Sequence, residues 1–167
     1  MNHFTQEHIN VRKHYNTTKQ AKHWLEVIQT TSLTPDRIKL IKSTPYFFLA
    51  TSHKNGQTNV NYKGLEGKSL IHVVNKTRLI FPDYTGNGIL HSIGDIISNP
   101  NIGMLIINFD QNKRLKINGK ATIIEDKEML LKYSNIFKSD SIVRLIQVDI
   151  QYVIENCSSH IGIVNKR

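Results

Sequence analysis

Residues 46–63 read YFFLATSHKNGQTNVNYK, and their reading decides the fold. An aromatic and apolar run from Tyr46 to Ser52 meets Lys54-Asn55-Gly56, and Thr58 to Lys63 returns. Asparagine-glycine accommodates the left-handed backbone of a tight turn, so the stretch predicts an antiparallel hairpin. The same alternation continues downstream. Ser69 to Val74 reads as a strand, Asn75-Lys76 as a turn, and Arg78 to Phe81 as another strand. Leu90 to Ser98 predicts a short helix closed by Asn99-Pro100, and Ile102 to Phe109 predicts a buried strand turned by Asp110 to Lys113. In Arg114 to Ile124, Leu115, Ile117, Ala121 and Ile123 face one way, while Arg114, Lys116, Asn118 and Lys120 face the other. Asp126 caps a helix carrying Met129, Leu130, Tyr133 and Phe137, and a last alternating strand runs through Ile146, Val148, Ile150 and Tyr152.

Upstream of the hairpin the period is helical. Lys19 to Thr30 places Ala21, Trp24, Leu25 and Ile28 on one stripe. Thr34-Pro35-Asp36 supplies an N-cap, a proline at the first helical position and an early acid, opening a helix with Ile38 and Ile41 inward that Pro45 ends. There is no internal repeat. At least six strands with few helices between them argue for a mainly β, α+β chain built on a small antiparallel barrel with peripheral helices. Residues 1–44 form a helical amino-terminal extension and residues 45–167 the barrel, within one structural domain.

Composition bounds the function. The 167 residues carry 22 Lys and Arg against 13 Asp and Glu, a net charge of +9. Residues 1–44 hold +4, residues 45–120 hold +5 and the remainder is neutral. The bases are spread singly rather than in a dense run with interleaved aromatics, so the charge does not read as a nucleic-acid footprint. It suits any anionic partner, down to a single phosphate. No apolar run approaches a membrane span, and Met1 to Asn10 is polar with no signal-peptide core. A lone Cys157 has no internal disulfide partner, which fits a cytoplasmic location. None of the eight histidines has metal-motif spacing, and no metal site is expected. Gly64, Gly67 and Lys68-Ser69 have the wrong glycine spacing for a phosphate loop.

The informative segment is Phe81-Pro82-Asp83-Tyr84-Thr85-Gly86-Asn87-Gly88, followed by the helix that opens near Leu90 with Ser92 in its first turn. Free amides at a helix start, with a serine hydroxyl, can seat a phosphate dianion; an ordinary strand-to-helix loop is the alternative. Lys63 and Arg114 each sit in an alternating strand and are expected to reach the same face of the barrel, unless they are solvated outward charges.

The ordered set of these pieces resembles the pyridoxamine 5′-phosphate oxidase-like family of flavin-binding split barrels, over about Tyr46 to Cys157. The opening hairpin, Lys63-Gly64, Phe81 to Tyr84 with Gly86-Asn87, Ser92 to Ile96 with Asn99-Pro100, Ile102 to Ile106, and Arg114 to Ala121 carry the likeness. The resemblance implies an antiparallel split β-barrel and a homodimer with FMN at the subunit interface. It implies that Asn61, Tyr62 and Lys63 line the cofactor, with Lys63 toward the phosphate. The backbone at Phe81, Pro82 and Asp83 would meet the flavin, Asn87 and Ser92 would hold phosphate, and Arg114 would contact the cofactor from another strand.

Some positions depart from the family pattern. The related branch usually has asparagine where this chain has Asp95, and a carboxylate there repels phosphate unless it points away. The segment after Lys63 is altered to Leu65-Glu66-Gly67-Lys68, and the carboxy terminus lacks the tryptophan and arginine segment of true pyridoxamine phosphate oxidases, so vitamin B6 oxidation is not expected. The leading expectation is an FMN-dependent oxidoreductase acting on a small molecule, with no acid–base residue nominated. The alternatives are a non-catalytic flavin carrier or sensor, and a haem-handling protein using His160 as axial ligand.

Overall fold

A computed structural model describes residues 4–64, 67 and 69–156. Two helices come first, α1 (Gln6–His14) and α2 (Thr18–Ile28), then a two-residue strand β1 (Gln29–Thr30) and α3 (Pro35–Ser43). The hairpin follows as β2 (Tyr46–Ser52) and β3 (Thr58–Gly64), then β4 (His72–Asn75) and β5 (Arg78–Tyr84). After α4 (His91–Ser98) come β6 (Asn101–Asn108), β7 (Lys113–Ile124), α5 (Lys127–Phe137) and β8 (Ile142–Asn156). The strands form an antiparallel sheet in the order β3-β2-β6-β7-β8-β5-β4, with β1 added to β8. This is a split-barrel-like α+β architecture. Among the described residues no helix is long and apolar enough to cross a membrane.

The pleat decides what is core. Phe47 and Leu49 of β2, Met104 and Ile106 of β6, Leu115 and Ile117 of β7, and Val153 of β8 all turn inward. Gly56 takes a φ of +90° in the hairpin turn, a conformation that favours glycine. The strand β5 is buried through Asp83 because two clusters cover it. Leu79 and Phe81 join the barrel core, while Ile80 packs with Tyr133, Phe137, Ile142 and Leu145 under α5. Both expected caps are present: Thr34 Oγ1 accepts from the Arg37 amide at 3.4 Å, and Asp126 Oδ1 from the Met129 amide at 3.0 Å.

Two sequence expectations are corrected. Trp24 does not share a buried stripe with Ala21, Leu25 and Ile28; those three are half-buried and Trp24 is exposed. Tyr152 does not continue the inward alternation of Ile146, Val148 and Ile150. Gly119 pairs with Ile150 but Asn118 with Tyr152, so β8 carries one extra residue, Gln151. That bulge shifts the phase by one and turns Val153 inward and Tyr152 outward. The bulge lies beside Gly119, where a Cβ would sit 2.5 Å from the Asp149 carbonyl oxygen and 2.9 Å from Val148 Cγ1.

Two stability predictions follow from this packing. Gly119→Ala should cost about 1–3 kcal/mol, because the obstacle is backbone that cannot rotate away; urea denaturation measures it. His72 packs edge-on against Tyr133, with ring centroids 5.5 Å apart, and burial lowers its pKa below 6.5, with Lys42 and Lys132 pushing the same way. The folded chain therefore resists a proton that the unfolded chain accepts, and His72 costs stability as pH falls below 6.5. Between about pH 7.5 and about pH 5.5 the melting temperature of the wild type should fall further than that of His72→Gln; equal falls would clear His72 of any part in it.

Candidate functional site

Three elements end at one pocket. The inward phase of β3 presents Asn59, Asn61 and Lys63, since they pair with Thr51, Leu49 and Phe47 of the core-facing strand β2. The end of β5 presents Asp83, which is only 8% exposed. Between β5 and α4 the loop is shaped by Gly88, at φ +78°, and by Asn87, whose Oδ1 accepts from the Ile89 amide at 3.1 Å. Leu90 then adopts a left-handed φ of 54° and gives α4 no side-chain cap. The first bond of the helix runs from the Gly94 amide to the Leu90 carbonyl, so the amides of His91, Ser92 and Ile93 have no partner within the helix. The resulting pocket of about 230 Å³ is lined by Asn61, Lys63, Asp83, Asn87 and Ser92 together with the loop itself.

Hydrogen bonds hold these groups in place. Ser92 Oγ, nearly buried, accepts from Asn61 Nδ2 at 2.7 Å and lies 3.4 Å from Asn59 Nδ2. Lys63 Nζ is 3.2 Å from Asp83 Oδ1, and Arg144 Nη1 is 2.9 Å from Asp83 Oδ2. Burial opposes the Arg144 charge, but its bonds to Asp83 and Glu125 prevail and hold its pKa above the ordinary arginine value. Asp95 lies outside the pocket lining. Its carboxylate accepts from the buried Thr51 hydroxyl at 2.7 Å, so its charge is turned toward β2 rather than into the site. The donor set of an ammonium, a hydroxyl, amide side chains and first-turn backbone amides is chemically suited to a phosphate dianion.

The other expected residues do not line this pocket. Phe81 is in the core, edge-on to Phe47 at 5.0 Å, and Pro82 is buried beside it. Tyr62 points to the outer face of the sheet, where it stacks on Tyr46 at 5.7 Å. Arg114 shares that outer face, opposite Ile107, with a buried Nε that has no hydrogen-bond partner among the described residues. Lys63 and Arg114 are therefore neither on the same face nor on adjacent strands; β2 and β6 separate their strands, and the pleat turns them apart. Sequence reasoning missed Asn59 and Arg144. Arg144 had a signal, an arginine inside the apolar run Ile142-Val143-Arg144-Leu145-Ile146. Among the described residues no group of three or more His, Cys, Asp or Glu could hold a metal ion. Cys157, His160 and the altered Leu65, Glu66 and Lys68 lie outside the described residues.

Solved structures share the fold at low identity. A candidate pyridoxamine 5′-phosphate oxidase from Lactobacillus delbrueckii superposes with a TM-score of 0.61 at 18% identity, over 75% of this chain and 95% of that one. HupZ from Group A Streptococcus gives 0.60 at 15% identity, over 74% and 93% of the two chains. HutZ, the heme storage protein from Vibrio cholerae, gives 0.50 at 15%, over 74% and 94%. No curated protein matches the chain. The family model for pyridoxamine 5′-phosphate oxidase matches residues 33–157, from the residue before the α3 cap to just past the end of β8, and the chain belongs to that family.

Proposed function

We propose that the chain is an FMN-binding flavoprotein, an FMN-dependent oxidoreductase acting on a small molecule, and that it works as a homodimer with the cofactor at the subunit interface. The observation that carries this reading is the phosphate-competent pocket where β3, β5 and α4 meet. Its 230 Å³ is below the range of about 300–1,000 Å³ usual for small-molecule sites, so it has room for a phosphate and the adjoining chain rather than a whole flavin. The remaining cover comes from a second copy. On the outer face an apolar groove of about 590 Å³ runs past Phe48, Val60 and Leu105 to Lys116 and Asn118. Val60 and Tyr62 are exposed there, and Arg114 Nε and Asn118 Oδ1 lack partners among the described residues. An Arg114 turned away from its own pocket can meet a cofactor only in the partner subunit.

FMN supplies the redox step itself when bound, as hydride acceptor or donor. The chain's residues supply position: Asn61, Ser92 and the α4 amides fix the anionic end, and Lys63 balances its charge. Titration of the purified protein with FMN tests the reading, with quenching of flavin fluorescence expected at micromolar concentration. A protein that leaves FMN unquenched would refute it. Bound FMN with no consumption of NADH or NADPH would instead mark a carrier or sensor. The likeness of fold to HutZ prompts a second reading, haem handling, which a Soret band on haem addition without FMN quenching would favour.

Lys63→Ala and Arg114→Ala should each weaken FMN by about 1.5–3 kcal/mol, the range of charge-assisted hydrogen bonds. Mixing the two variants in equal amounts should restore one intact site per heterodimer, read as about a quarter of the wild-type FMN capacity after random re-pairing, at an FMN concentration that fills wild type but neither variant. Capacity that stays absent on mixing would deny that two chains share a site. Leu105→Glu on the outer face should shift the protein from dimer to monomer in light scattering, and loss of FMN binding should accompany it.

A further inference from the structure

The pocket's ammonium group already has a partner. Lys63 Nζ lies 3.2 Å from one oxygen of Asp83, and the other oxygen lies 2.9 Å from Arg144 Nη1. Asp83 and Arg144 are direct cross-strand partners on β5 and β8, so register rather than chance sets the guanidinium beside the carboxylate. Arg144 does not line the pocket; it stands behind Asp83 and continues to Glu125 at 3.3 Å. The charges thus run in one line from the pocket to the surface as cation, anion, cation, anion.

An anion entering this pocket meets Lys63 in competition with Asp83. Were Lys63 the sole partner of Asp83, turning the ammonium toward the ligand would strand a nearly buried carboxylate without a charged partner. Arg144 removes that cost, because the carboxylate keeps a charged partner after Lys63 leaves. We propose that Asp83 and Arg144 form a latch on Lys63, in which Arg144 is a positioning residue that lets the ammonium transfer to a phosphate monoester dianion. The proposal rests on the phosphate seat assigned above. Its consequence is selectivity: a dianion outcompetes one carboxylate for Lys63, whereas an unphosphorylated ligand leaves the latch closed. Asp83 is then a competitor of the ligand rather than a contact to it.

Titration of the full-length protein with FMN, riboflavin and inorganic phosphate tests the latch. Asp83→Asn should tighten FMN about tenfold and Arg144→Gln should weaken it about tenfold, each a change of about 1.4 kcal/mol, with riboflavin unmoved by either. In the double variant the Arg144→Gln loss should vanish, since no carboxylate remains to hold. A purely structural arginine would shift FMN and riboflavin together and would keep its effect in the Asp83→Asn background, and either result overturns the proposal. So does an Asp83→Asn that weakens both flavins, which would make the carboxylate a ligand contact. If Arg144→Gln fails to fold, Asp83→Asn with and without Lys63→Met carries the test, because the gain must disappear with the lysine. If the wild type does not quench FMN, the flavin reading falls and phosphorus NMR of inorganic phosphate decides the latch separately. Tighter phosphate binding by Asp83→Asn supports it there, and no change in phosphate affinity overturns it.

Discussion

The close approach of β8 to Gly119 is the constraint on which the rest of the structure depends. β8 is fifteen residues long and pairs along one side with β7 from Ile124 down to Arg114. To keep its pairing with β7 its backbone passes Gly119 at a distance that leaves no room for a side-chain carbon. The Gln151 bulge sits at that crossing, and it divides β8 into two halves of opposite phase. In the first half Ile146 and Val148 face the core; in the second Val153 does so, opposite Ile117. A slip of one residue in either half would exchange core and solvent faces, so burial fixes the register on each side of the bulge. On the opposite side of the same strand the β5–β8 register sets Arg144 beside Asp83, so β8 carries both the close approach to Gly119 and the charge chemistry behind the pocket.

The pleat then separates two surfaces that a linear reading merges. Asn59, Asn61 and Lys63 alternate along β3 with Val60 and Tyr62, and successive residues point to opposite faces. The polar set converges with Ser92 and Asp83 on the pocket, and the apolar set joins Tyr46, Phe48 and Leu105 outside. Arg114 belongs to the second set through its pairing with Ile107. A site that uses Lys63 and Arg114 together is thus one that a single copy of the chain does not assemble. A hydrogen bond on the inward face also accounts for Asp95. One turn beyond Ser92 on α4, it is drawn to the Thr51 hydroxyl, leaving the helix start free of a repelling carboxylate.

Most of the fold was legible because its signals are local. The hairpin turn at Asn55-Gly56, the caps at Thr34 and Asp126 and the alternation of Arg114 to Ile124 each lie within a few residues, and all three are present. The bulge was not legible, because an inserted Gln151 has no composition of its own and shows only in the pairing of its neighbours Ile150 and Tyr152 with Gly119 and Asn118. The site divided in the same way. Ser92, Asn87 and Asp83 follow one another around one strand-to-helix junction and could be read together, as could Asn61 and Lys63 at the end of β3. The partner of Lys63 could not, since Asp83 is twenty residues away and Arg144 sixty-one beyond that. A periodic stripe likewise tells which residues of α2 align, but not that Trp24 lies at its solvent margin.

The amino-terminal extension covers β8 along its other edge. β5 covers the second edge of β8 only from Ile142 to Asp149, and beyond that point the strand would present unpaired backbone. There β1 pairs Gln29 with Ile154 and Thr30 with Val153, on the side of β8 away from β7. Arg37 of α3, 5% exposed, secures this patch by donating to the Ile28 carbonyl at 2.9 Å, to the Thr30 hydroxyl and to Glu155 at 3.4 Å. One of the seven basic residues that make the first 44 residues cationic is therefore a structural bolt rather than part of a binding surface. Leu33, Leu40 and Ile41 pack in the barrel core, so α3 is continuous with the match to the family, which begins at residue 33. The helices α1 and α2 precede that match, and β1 between α2 and α3 gives their attachment a physical purpose: it pairs with the stretch of β8 that β5 does not reach.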